Sequence, residues 1–122
     1  YVRKRGHMRQ LKRLNNPIPF RGGELSIQAN EGTYSIPKSN YGPYSHVEVA
    51  FIYGDNSDMV YIPELKDRVD YCGEDEKFED LTSCVHGYVE VSRIKELLKE
   101  DGYSDENIEA IFDRINTVVN FR

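Results

Sequence analysis

The sequence predicts an α+β domain: an antiparallel sheet of about five strands covered on one side by two C-terminal helices. Two observations carry this. Segments of two-residue alternation fill the middle of the chain, and apolar residues at helical spacing fill its end. The 122 residues suit a single core.

Element by element, "NNPIPF" (15–20) is extended, because each proline pushes its predecessor out of the helical region, and it reads as a linker or edge strand. "ELSIQA" puts Leu25, Ile27 and Ala29 on one face, and "NEG" permits a reversal into "TYSIP", which predicts a first hairpin. "HVEVAFIYG" is rich in β-branched and aromatic residues, and "DNSD" separates it from "MVYIPEL", a second hairpin. From Glu64 to Asp80, eight acidic and three basic residues predict a solvated loop. "HGYVEV" offers a further strand. Ser92 is placed to cap a helix over 92–101, with Ile94, Leu97 and Leu98 as its stripe and Gly102 as its stop. Ser104 is placed to cap the last helix, over 105–119, where Asp105 and Glu106 suit the positive end and Ile108, Ile111, Phe112 and Ile115 recur at helical spacing. The apolar surplus of that helix, with Val118, Val119 and Phe121, predicts a homo-oligomer, most simply a two-fold dimer.

Composition narrows the function classes. Hydrophobic residues make up 39% and charged residues 30%, without tryptophan, as in a soluble globular protein with a thin core. The net charge of −5 divides unevenly, because residues 1–21 carry seven positive charges and no acid. A domain boundary is therefore placed there, with a basic segment at 1–21 and one α+β domain at 22–122. "GHM" (6–8) reads as a cloning scar, so residues 1–7 read as tag-derived, which argues against nucleic acid as the partner. No long apolar run is present, which argues against a membrane and for a cytoplasmic protein with reduced thiols.

No catalytic signature appears. Cys72, Cys84 and His86 are zinc-ligand types, but their spacing fits no common finger, and the acidic run from Glu74 to Asp80 lacks the alternation of a calcium loop, so no metal or other cofactor is expected. His46 and Glu48 share a strand face and could act as an acid–base pair, whereas neighbouring Ser45 should point away from His46. A half-exposed polar strand face explains the same residues without chemistry. "RGGE" (21–24) could bring backbone amides and an arginine to a phosphate, or simply turn a hairpin.

The most suggestive stretch is "YSIPKSNYGPYSHVEVAF" (34–51). Rings stack on bases and cations meet phosphates, so Tyr34, Tyr41, Tyr44 and His46, with Arg21 and Lys38, make a candidate nucleotide site. Arg68 or Arg114 could complete it from a partner subunit. Core filling is the competing role, above all for Tyr34.

"LSIQANEGTYSIPK", "GPYSHVEVAF" and "VHGYVEVSRIKELL" together resemble small phage-encoded anti-defence proteins, most nearly the anti-Thoeris sponges. The resemblance covers roughly Glu24 to Leu98 and is one of pattern. It implies a non-catalytic, oligomeric protein that binds a cyclic ADP-ribose isomer or a cyclic oligonucleotide and withholds it from an immune effector in the infected bacterium. Two other classes stay open: an acidic inhibitor of a host macromolecule, suited to the net −12 of residues 22–122, and a small nucleotide-processing enzyme.

Overall fold

The structure, a computed structural model, describes residues 15–71 and 84–117. Six strands form one sheet in which every pairing is antiparallel: β1 (Ile18–Phe20), β2 (Gly23–Gln28), β3 (His46–Tyr53), β4 (Asp58–Val60), β5 (Val69–Tyr71) and β6 (Cys84–Glu90). Their order is β1-β2-β3-β6-β5, with β4 paired to the far end of β3. Helices α1 (Val91–Glu100) and α2 (Asp105–Asn116) follow.

The alternation does what the sequence requires of it. Leu25 and Ile27 of β2 and Val47, Val49 and Phe51 of β3 all face inward, where Ile94, Leu97 and Leu98 of α1 and Ile108, Ile111, Phe112 and Ile115 of α2 meet them in one core. The α+β fold with two C-terminal helices packed on the sheet is thus the observed one. The Ser104 hydroxyl accepts the Asn107 N–H at 3.1 Å and caps α2, as its position in sequence requires.

Several boundaries differ. Helix α1 starts directly from β6, so Glu90 occupies the cap position without a side-chain capping hydrogen bond and Ser92 lies inside the helix. The "TYSIP" segment is no partner for β2. Antiparallel pairing joins β2 to β1 and β3 instead, and only Ile36 bridges to His46. Strand β1 lies within the segment set apart as 1–21, so the sheet begins before that boundary. The "RGG" stretch is the β1–β2 turn: Phe20 pairs with Gly23, and Arg21 (φ 48°) and Gly22 (φ 80°) take the left-handed conformations of a primed hairpin turn. The start of the expected acidic loop is ordered as a 3₁₀ segment, Pro63–Arg68, kinked at buried Leu65 and continued by β5. Residues 72–80 lie outside the described residues, as do 118 and 119.

The four large apolar side chains of α2 are buried within their own chain. They present no surface to a second copy, which removes the argument for an oligomer drawn from them. Val118, Val119 and Phe121, the rest of that argument, lie outside the described residues. Among the described residues, no helix is long and apolar enough to cross a membrane.

Candidate functional site

Between its pairings with β3 at Val89 and at His86, strand β6 carries one residue more than β3 does between Val47 and Val49. The ladder therefore bulges at Gly87–Tyr88. Tyr88 sits at φ +52°. For a residue with a bulky side chain and no local polar group to compensate, this conformation costs about 1–2 kcal/mol.

The bulge turns Tyr88 toward the loop between β2 and β3. Its backbone N–H donates to the Tyr34 carbonyl at 2.9 Å, and the two rings stack with centroids 5.5 Å apart and planes 25° from parallel. Lys38 Nζ lies 5.2 Å from the Tyr34 centroid and 5.8 Å from that of Tyr88, within cation–π range of both. The Tyr34 N–H donates to Glu48 Oε1 at 3.1 Å. Glu48 stands between inward-facing Val47 and Val49, so the cluster lies on the sheet face away from the helices. Tyr34 is 44% exposed, and Ile36 (45%) and Tyr41 (64%) continue an apolar strip along the same loop.

The structure thus joins Tyr34 and Lys38 and adds Tyr88 and Glu48. His46 follows along the same face, two residues before Glu48, with Ile36 bridged to its backbone. Its Nδ1 lies 2.8 Å from the Ser45 hydroxyl, contrary to the expectation that the two point apart. Ser45 precedes the first residue of β3, so strand alternation does not govern it. Because Glu48 holds the Tyr34 amide, the His46–Glu48 pair has one carboxylate oxygen already engaged.

Tyr44 does not belong to this face. It is 6% exposed and packs in the core, its hydroxyl donating to the Ser39 carbonyl at 2.7 Å and its N–H donating to Asn116 Oδ1 at 3.1 Å. Burial pushes its phenol pKa up. The Gly42 N–H also donates to the Asn116 carbonyl, so the loop docks on the end of α2 through Tyr44 and leaves Tyr41 outside.

The arginines are elsewhere. Arg21 lies beyond the opposite end of β2, forked onto Glu64 at 3.1 and 2.5 Å, and this hydrogen-bonded pair raises its pKa and lowers that of Glu64. It borders a cavity of about 610 Å³ between the β1–β2 and α1–α2 turns, lined by Phe20, Asp101, Tyr103 and Asn107 as well. Arg68 pairs with Glu90 at 3.1 Å within its own chain, and Arg93 shares that glutamate. Arg114 is exposed on α2, outside the ring–lysine cluster.

Of the zinc-type residues, Cys84 and His86 are fully buried on the inward side of β6, and Cys72 lies outside the described residues. Among the described residues, no group of three His, Cys, Asp or Glu side chains is placed to hold a metal ion.

The sequence reading missed Tyr88, although a glycine inside a strand pattern, as in "HGYVEV", is a bulge signal. Comparison with known proteins finds no matching family model, no matching curated protein and no matching solved structure.

Proposed function

We propose that this protein is a non-catalytic binding protein that captures a planar, phosphate-bearing ligand of the cyclic nucleotide class on its Tyr34–Tyr88–Lys38 face. The observation that carries the reading is Tyr88. A tyrosine held at positive φ in a bulge, half-buried and stacked with a second ring beside a lysine instead of packed in the core, fits a residue kept for recognition. Rings accept any base by stacking, worth roughly 1–3 kcal/mol per base, and Lys38 supplies the cation for a phosphate. The resemblance to phage anti-defence sponges supports the same reading: sequestration of a cyclic ADP-ribose isomer or cyclic oligonucleotide in the cytoplasm of an infected bacterium.

Calorimetry against a panel of cyclic nucleotides, including cyclic ADP-ribose isomers, tests this. Tyr88→Gly keeps the left-handed backbone and removes the ring, so it should weaken binding tenfold or more, ~1.4 kcal/mol, while melting near the parent. Lys38→Ala should act in the same direction. Heating the loaded protein should release the ligand chemically unchanged, whereas an altered product would identify an enzyme. Absence of binding across the panel would end the proposal.

The exposed strip of Ile36 and Tyr41 favours a second reading, in which the same face docks on a host macromolecule. Ile36→Ser separates the two, since it should weaken a protein contact and leave nucleotide binding unchanged.

A further inference from the structure

His86 lies on the inward side of β6 and is fully buried. Its Nε2 accepts the N–H of Ile62 at 3.3 Å, and its ring stacks against Tyr61, with centroids 6.2 Å apart and planes 27° from parallel. It therefore fastens the stretch between β4 and the 3₁₀ segment to the middle of the sheet. Ile62 and Leu65 press into the core there, and the Ile62 carbonyl is occupied by the Leu65 N–H at 2.9 Å. Elsewhere the segment is tied by surface ion pairs: Glu64 to Arg21, Asp67 to Arg93 and Arg68 to Glu90.

We propose that His86 is a proton-gated latch: neutral, it fastens the Tyr61–Arg68 segment to the sheet, and protonated, it lets that segment lift away while the rest of the sheet stays folded. Once Nε2 carries a proton it faces the Ile62 N–H donor to donor, and a charge is buried with no counter-ion among the described residues. Among the described residues, the titratable neighbours are the stacked Tyr61 phenol and the Cys84 thiol, two residues back on the same strand face, and neither balances a positive charge at neutral or acidic pH. From the flanking strands, the residues opposite are Val49 and Val69, whose side chains are apolar; burial disfavours the protonated ring and outweighs the backbone of Val49 and Ile62, which favours it. Nδ1 closes no hydrogen bond among the described residues.

The surface ties do not share this sensitivity. Hydrogen-bonded Arg93 holds Asp67 down to about 2, and the carboxyls of Glu64 and Glu90 are lowered as well. Between pH 7.5 and 5 these pairs stay ionised, so among the segment's ties the histidine contact alone weakens, because the released imidazole takes up a proton in that range and the latched one does not.

Native-state hydrogen exchange at increasing urea, at both pH values and with intrinsic rates corrected, tests the latch. The Ile62 and Leu65 amides should exchange through a local opening much less sensitive to urea than global unfolding, and that opening should become about 30-fold more populated at pH 5, from a histidine near 6.5 when released and about 4 when buried. In His86→Gln, whose amide oxygen can accept the Ile62 N–H without titrating, the opening should change less than about threefold. Exchange of both amides only through urea-sensitive global unfolding, or an unaltered pH response in the variant, would overturn the proposal. Should the variant fail to fold, the native imidazole resonance decides: titration near 6.5 sinks the latch, and titration well below it supports it.

Discussion

At the scale of single residues, the tyrosines of one loop take opposite roles that their letters do not distinguish. Tyr44 fills the core, its hydroxyl bonded within the loop and its amide to Asn116 of α2, while Tyr41 and Tyr34 lie largely exposed. Tyr44→Ala should therefore destabilise by about 3 kcal/mol and lower Tm by roughly 10 °C or more in thermal unfolding. Tyr41→Ala should melt within a few degrees of the parent. Equal losses for the two would mean that the loop does not dock through Tyr44.

At the scale of elements, the loop's position depends on the end of α2. Asn116 accepts the Tyr44 N–H with its side chain and the Gly42 N–H with its backbone, and a Cβ on Gly42 would lie 2.9 Å from the Asn116 Cα. Asn116→Ala leaves a part-buried amide without its partner and should cost about 1–2 kcal/mol in urea unfolding. At the other end of the helix, Ser104→Ala removes the cap and should cost about 1 kcal/mol. The β1–β2 hairpin is as tightly constrained: a Cβ on Gly23 would come 2.4 Å from the Ile52 carbonyl oxygen, a backbone atom that cannot swing aside.

For the whole molecule, His86 contributes to the response of stability to acid. Burial holds its pKa down to about 4, outweighing the nearby backbone of Val49 and Ile62, against 6.5 for the free side chain. Above 6.5 the imidazole is neutral in both states and makes no difference. Between 6.5 and 4 the unfolded chain takes up the proton and the folded chain does not, so stability falls as pH falls, by about 3 kcal/mol in total for this group. Urea unfolding at pH 7 and pH 4.5 should show that loss in the parent and little of it in His86→Gln. The Asp67 pair acts lower, contributing above pH 3.8 and being lost as pH falls toward about 2.

The sequence by itself determined the fold class, the inward faces of β2 and β3, the stripes of both helices and the Ser104 cap. Each of these is a local periodicity or a local hydrogen bond, written within a few residues of chain. It also drew Tyr34 and Lys38 together, since they lie in one loop. Tertiary structure alone decided that Tyr44 is core, that Arg21 serves a turn beyond the far end of β2, and that Tyr88 joins Tyr34. Those outcomes depend on strand order and on one extra residue in β6, and partners 54 positions apart meet only once β3 has chosen β6 as its neighbour. Alternation fixes which side of a strand a residue takes, but not which strand lies beside it.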